Sequence, residues 1–360
     1  MAALRAFAYG FAAGRYSAMW AWLAPSAHTG WGGPAGFATY YRAKFAPVRL
    51  LGLRFGMPRV AGRVVQAPLS LDLAWRGAGI PGVLPLFQNL EATVVRTPQG
   101  WRVAEGGPLD PAAPVIPPPQ VAPRVLHVPI LMYHHISSAP PAPSQAGLTL
   151  TDPEFAAQLA YLKGHGYRAV LLVDLFNALY YGRPLPPHPV VLTFDDGYLD
   201  AYSDAFPLLR RYGMIGEFNI ITGFVGETIG VNRYMTWPQV VAMAGAGMEM
   251  ESHTIDHQDL GILTAPQDAY ELRFSRAALA AHVHRAVQFL AYPSGEPFRS
   301  GTVAAQQRLL ALLPQAGYVG ALLDPSAPST VQDARMPYQL PRVRVDPGES
   351  LAAFAASLRS

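Results

Sequence analysis

Two short stretches of this chain hold residue types whose spacing could do chemistry. The apolar run Val190-Val191-Leu192-Thr193-Phe194 ends in Asp195-Asp196-Gly197. Adjacent carboxylates at a strand end resist joint ionisation unless a cation neutralises one of them; the alternative is an ordinary Asp-Asp-Gly turn. Farther on, His253 and His257 flank Thr254, Ile255 and Asp256. A four-residue spacing puts two imidazoles on one side of a helical turn, within reach of one metal ion. With 10 histidines in 360 residues, about 0.3 such pairs arise by chance, so the pair alone says little. Together the stretches offer one carboxylate and two imidazoles to a metal and leave one carboxylate over. Three ligands with open positions are what a hydrolytic metal needs to activate water.

Both stretches need a frame that carries them to one place. From residue 125 onward, short apolar runs (128–133, 169–172, 190–194, 217–221, 248–250, 288–292, 319–323 and 342–345) alternate with stretches of helical spacing such as 152–164 and 199–212. That alternation predicts a parallel β/α barrel, whose active site forms at the C-terminal ends of the strands. The first 108 residues read differently. Leu4, Phe7, Ala8, Phe11 and Ala12 fall on one helical face, Gly14 interrupts, and Ser17 could cap a second short helix. Runs at 48–53, 67–73 and 91–95 then read as antiparallel strands, giving a small α+β domain. Seven prolines between residues 108 and 124 form a stiff linker. The expected division is residues 1–108, a linker at 109–124, and a barrel at 125–360.

Phe194 to Gly197, the run ending in His253-Thr254-Ile255-Asp256-His257, and Leu290-Ala291-Tyr292-Pro293-Ser294-Gly295 resemble, in order and spacing, the motifs of NodB-type polysaccharide deacetylases, carbohydrate esterase family 4. The resemblance implies a distorted barrel with Asp196, His253 and His257 as ligands of a divalent metal, Zn²⁺ with Co²⁺ or Ni²⁺ as alternatives, and Asp195 as general base. A carboxylate beside the metal but not bound to it can take a proton from water. The late histidine that supplies the acid in many members is missing, the last histidine being His284. The opening strand ends Tyr133-His134-His135, as in members whose acid lies there. Side chains alternate along a strand, so these two histidines should point to opposite sides; the Tyr-His step selects His134 as acid and leaves His135 a rim role. The family's arginine beside the proline motif is Ala291 here and its tyrosine is Ser294. Arg342, at the end of the last strand, is the expected substitute partner for the base, with Arg344 the competitor. Backbone N–H groups near Ser294 would serve an oxyanion, and Tyr292 and Phe298 either line the sugar site or are buried core aromatics. In the first domain, the stretches GRYSAMWAWLAP (14–25), YRAKFAPVRLLGL (41–53) and GWRVAEGG (100–107) resemble the NTF2-like domain of some penicillin-binding proteins, which implies a spacer.

The chain is 51% hydrophobic and only 14% charged, has no cysteine, and balances 27 basic against 24 acidic residues. Disorder and a disulfide scaffold are excluded, and no basic run tracks a phosphate backbone, so nucleic acid is not an expected partner. Arg5 and Arg15 interrupt the first 23 residues, and no stretch reaches the roughly 18 apolar residues of a membrane span. The expectation is a metal-dependent de-N-acetylase acting on N-acetylglucosamine residues of an extracytoplasmic polysaccharide, with any anchor or export signal lying upstream of this chain. An O-acetyl esterase on the same barrel and a degenerate wall-binding module are the alternatives.

Overall fold

The computed structural model describes residues 1–28, 31–46, 48–75, 90–105, 124–283, 285, 287–324 and 328–359. Most of the proline-rich stretch, 106–123, lies outside the described residues, as does His284. The chain divides into two compact units, one comprising Met1–Gln120 and the other Val121–Val283 with Val287–Ser360.

The first unit is α+β. Helix Ala2–Ala12 buries Leu4, Phe7, Ala8 and Phe11, and helix Gly33–Phe45 follows. An antiparallel sheet then runs through Val48–Phe55, Val64–Trp75, Leu90–Thr97 and Gly100–Glu105, with Arg59–Ala61 paired at one edge. Ser17 is not a cap. The second helix is a single turn, Tyr16–Met19, preceded by Arg15 and running into a tight turn at Trp20–Trp22. Gly14 reverses the chain at φ 65°, which starts the helix before Ser17 can cap it.

The second unit carries a parallel eight-stranded sheet: β1 (Ile130–Tyr133), β2 (Arg168–Ala169), β3 (Pro189–Phe194), β4 (Glu217–Ile220), β5 (Glu249–Ser252), β6 (Phe289–Ala291), β7 (Gly320–Leu322) and β8 (Val343–Arg344). Its order is β7-β6-β5-β4-β3-β1-β8, with β2 beside the start of β3. Leu340, just before β8, bridges Leu322 of β7, so the sheet curls into a distorted barrel. The helices are α1 (Asp152–Gly164), α2 (Leu172–Tyr181), α3 (Phe206–Tyr212), α4 (Trp237–Gly245), α5 (Ala265–Val283), α6 (Val303–Ala316) and α7 (Leu351–Ser357).

Local chemistry sets these boundaries. Thr151 and Glu154 close a capping box at the start of α1, satisfying donors that a helix start leaves free. Gly182, Gly213 and Gly317 end α2, α3 and α6 in the left-handed region, where glycine has no Cβ to clash. β3 is nearly all apolar because both of its faces are covered. Among the described residues no helix is long and apolar enough to cross a membrane.

Candidate active site

β3 delivers the two carboxylates, and a strained turn separates them. Asp196 has φ 74° and Gly197 φ 78°; a Cβ on Gly197 would sit 3.2 Å from Ile220 Cδ1, so glycine is required. Asp195 meets Arg342, whose Nη1 and Nη2 donate to its Oδ1 and Oδ2 at 2.8 Å each. Asn219 Nδ2 adds a bond to Oδ1 at 2.7 Å. Arg342 is fully buried, with Nε donating to the Leu323 carbonyl at 2.7 Å and Nη1 also reaching Thr193 Oγ1 at 3.2 Å. Burial works to raise the Asp195 pKa, but Arg342 above all, with His253 and His134, holds it well below the carboxylate range. A buried carboxylate therefore stays ionised, and a bidentate guanidinium fixes its plane.

Arg342 precedes β8 rather than ending it, a correction to the sequence expectation. Its long side chain lets it meet Asp195 from there. Arg344, the competitor, pairs instead with Asp346 at 3.0 Å and approaches Asp324 at 3.9 Å.

Asp196 turns to the histidines. Its Oδ1 lies 3.2 Å from His253 Nε2 and 3.5 Å from His257 Nε2, and the ligand-type atoms of the three residues fall within 4.8 Å of one another. The fit to a cation can be argued from protons. His253 Nδ1 is 2.9 Å from the Ala291 carbonyl, which can only accept, so Nδ1 carries the hydrogen and neutral His253 presents the Nε2 lone pair to Asp196. Two acceptors at 3.2 Å need a proton or a cation between them. Asp196 Oδ1 is buried and makes no hydrogen bond. These residues fit a divalent metal.

The two histidines do not share a helical turn. Residues 253–257 form an irregular loop after β5, with Thr254 at φ 67° and His257 at φ 59°. The reversal brings the rings to 4.8 Å at 72°, and His257 N bonds Thr254 Oγ1 at 3.1 Å. Gly223 N reaches the Ile255 carbonyl at 2.7 Å, and Ile255 N bonds Glu271 Oε2 of α5 at 2.8 Å. Tertiary hydrogen bonds, rather than the helical spacing read in the sequence, hold the pair together.

His134 and His135 part as strand alternation requires. The charges acting on His134 are Asp196, Asp195, Arg342 and Arg344; burial lowers its pKa against the pull of the two carboxylates. His135 instead places Nδ1 2.6 Å from Asp200 Oδ2 and stacks on Tyr198 at 3.6 Å. Burial and then the Asp196 carboxylate push the Tyr198 phenol far up, so Tyr198 stands between His135 and Asp196 as a neutral phenol.

Tyr292 does not open onto a sugar site. Its ring is 1% exposed and its hydroxyl donates to the Tyr338 carbonyl at 2.9 Å; Phe298 packs against it at 4.8 Å. A buried phenol needs a hydrogen-bond partner, and here the half-buried Tyr338 supplies it through its carbonyl. Ser294 is exposed, at φ 54°, in the turn after β6. Five non-glycine residues among those described have positive φ, and four of them, Asp196, Thr254, His257 and Ser294, lie in these loops. Such strain, of order 1–3 kcal/mol each, persists where surrounding structure over-determines it, which is typical of functional sites.

Sequence reasoning missed Asn219. Its signal was a polar residue inside Glu217-Phe218-Asn219-Ile220, a strand buried along its whole length. Asn219→Leu keeps the shape and removes one hydrogen bond to a charged acceptor, worth about 1.5–3 kcal/mol. If Asp195 is the base, kcat should fall about 10- to 100-fold with KM and metal content unchanged, measured by steady-state kinetics and metal analysis.

The fold and site together define a parallel β/α barrel with a hydrolytic type of centre: an ion-pair-held carboxylate beside an Asp/His/His cluster. The family model described as polysaccharide deacetylase matches residues 182–318. YxkH of Bacillus subtilis, named as a polysaccharide deacetylase, is 35% identical over 234 residues, 65% of this chain and 76% of its own length. The chain belongs to the polysaccharide deacetylase family. The poly-β-1,6-N-acetyl-D-glucosamine N-deacetylase of Escherichia coli K12 is 28% identical over 136 residues, 34% of this chain but only 20% of that protein; its Staphylococcus epidermidis counterpart matches at 28% over 51% of its length. The chain thus spans about half of one of those relatives and a fifth of the other. Among solved structures, the Streptococcus pyogenes deacetylase PplD in complex with acetate superposes with a TM-score of 0.56 and 26% identity, covering 65% of this chain and 99% of that one.

Proposed function

We propose that this protein removes acetyl groups from N-acetylglucosamine residues of an extracytoplasmic polysaccharide, with Asp195 as general base, His134 as general acid and Asp196, His253 and His257 as ligands of a divalent metal, most plainly Zn²⁺, with Co²⁺ or Ni²⁺ as alternatives. The observation that carries this reading is the pairing of a buried, ionised Asp195, held by Arg342 and Asn219, with the adjacent Asp196/His253/His257 cluster. The names of the relatives support amide rather than ester chemistry.

A divalent cation in that cluster supplies Lewis-acid polarisation and acidifies water. Asp195 accepts the proton of the attacking water: both its oxygens take bonds from Arg342, Oδ1 takes a further one from Asn219, and Oδ2 keeps a lone pair for the proton. As the C–N bond breaks, protonated His134 gives its proton to the departing sugar amine; burial lowers its hold on that proton. The Ser294 N–H, in the turn after β6, is the backbone donor assigned to the developing oxyanion. Acetate and a free glucosamine amine result. The first unit, α+β as an NTF2-like domain would be, serves as the spacer.

The test is acetate release from defined β-1,6- and β-1,4-linked N-acetylglucosamine oligomers by metal-loaded protein, with acetylated xylan as the ester control. Asp195→Asn should lower kcat by at least about 10²-fold, the low end for a general base, while metal content stays that of the wild type. No acetate from any of the oligomers, or faster release from acetylated xylan, overturns the reading.

A further inference from the structure

The barrel's other face carries a charge pattern that the proposed chemistry does not use. In a parallel β/α barrel the helices run back against the strands, so strand starts and helix ends share the face opposite the site. Lys163 ends α1, Arg168 opens β2, Arg183 follows α2, Arg210 and Arg211 lie in the last turn of α3, and Arg359 follows α7. All six are exposed, and among the described residues none is in an ion pair with a carboxylate. Residues 155–170, 182–190, 205–216 and 350–360 contain no Asp or Glu; of the acids that open neighbouring strands on this face, Glu217 of β4 is buried and Glu249 of β5 is half-buried. The whole chain has 27 basic and 24 acidic residues, a net +3; with +6 here, the remainder is net negative.

Helix dipoles account for part of this. Four helix ends contribute about −0.5 each and Glu249 one charge more, so about +3 is left unmatched. Contacts join α1, α3 and α7 within this face. Lys163 Nζ lies 6.0 Å from the Tyr212 ring, Tyr161 meets Phe354 of α7 at 6.1 Å, and Tyr167 feels both Tyr161 and Arg359. Tyr161, Tyr167 and Tyr212 are half-buried.

We propose that this face docks on an anionic lipid bilayer. Clustered Lys and Arg with interleaved tyrosines match a headgroup layer, where phosphates take the cations and amphipathic rings sit at the interface. A single-stranded nucleic acid would call for a groove lined by aromatic faces free to stack on bases, whereas here the Tyr161 ring is already stacked on His165 at 3.8 Å and the Tyr212 ring lies under Lys163. A neutral N-acetylglucosamine polymer offers this face no charge, and its deacetylated product would be repelled. Docked this way, the barrel holds the Asp195 end of its strands away from the bilayer, toward a polymer outside it.

The test is flotation of the 360-residue chain with phosphatidylcholine vesicles, with and without phosphatidylglycerol. Binding should require phosphatidylglycerol and weaken as salt rises past 0.1 M, where the screening length falls to about 10 Å. Arg210→Ser/Arg211→Ser should weaken partitioning about 30-fold, about fivefold per cation lost, with acetate release from soluble oligomers unchanged. Three outcomes overturn the proposal: equal binding to phosphatidylcholine alone or no binding to either vesicle, unaltered vesicle binding by the double variant, and tighter binding to soluble polyphosphate than to phosphatidylglycerol vesicles, which would assign the face to a soluble anionic polymer.

Discussion

Replacing Arg342 by methionine should abolish acetate release and lower the unfolding free energy by about 3–5 kcal/mol, the usual cost of stripping one partner from a buried ion pair. Three acceptors lose their donor at once: the Asp195 carboxylate, Thr193 Oγ1 and the Leu323 carbonyl. The carboxylate matters most, because Asn219 alone would be left to hold a charge buried against Asp196. Two controls separate its roles. Arg344→Met removes a partly exposed arginine paired with exposed Asp346, so stability should change by less than about 1 kcal/mol. The double variant Arg342→Met/Asp195→Leu should regain much of the lost stability, because a matched apolar pair can replace a buried ion pair, yet remain inactive. Denaturant unfolding and acetate release measure both. If Arg344→Met proves as damaging as Arg342→Met, the assignment of the base's partner is wrong.

His253→Ala should weaken divalent-metal binding by more than about 100-fold, the upper range for losing even an outer-shell partner, and silence the enzyme. His253 is the ligand whose ring is locked, by the Ala291 carbonyl on one side and Asp196 on the other. His257→Ala should also lose the metal, although that ring is 30% exposed and can be replaced in part by water. Thermodynamic linkage gives a readout independent of activity. Metal at 100-fold excess over Kd should stabilise the wild type by about 2.7 kcal/mol and His253→Ala hardly at all. His282→Ala, on the exposed side of α5 against Trp237, should bind metal as the wild type does. Isothermal titration and thermal unfolding with and without metal decide this; undiminished metal stabilisation of His253→Ala would remove the cluster from consideration.

Much of the frame was legible because it is written in short-range chemistry. The apolar run 190–194 can only be a strand covered on both sides, and Thr151 with Glu154 starts a helix wherever it sits. Asp195 and Asp196 were legible for the same reason, as costly charges at the end of such a strand. The histidine pair was read correctly as a pair and wrongly as a helix. Its geometry depends on Gly223 and Glu271 gripping Ile255, and no periodicity encodes bonds between residues 16 to 32 positions apart. Tyr292 stayed open between cleft and core because an aromatic next to a motif looks the same in sequence whether its hydroxyl faces the cleft or Tyr338.

By itself, then, the sequence determined which residue types were available and which strand ends would present them: two carboxylates after β3, a histidine on each side of 255, and a histidine pair after β1. Only the tertiary structure decided how those groups divide the work. The left-handed turn at Asp196 sends one carboxylate to Arg342 and Asn219 and its neighbour to the two histidines. The partners come from β4, the loop after β5 and the approach to β8, segments 24 to 147 residues away from Asp195. Charges separated by such distances along the chain interact only after the sheet has curled and excluded the water that would otherwise screen them.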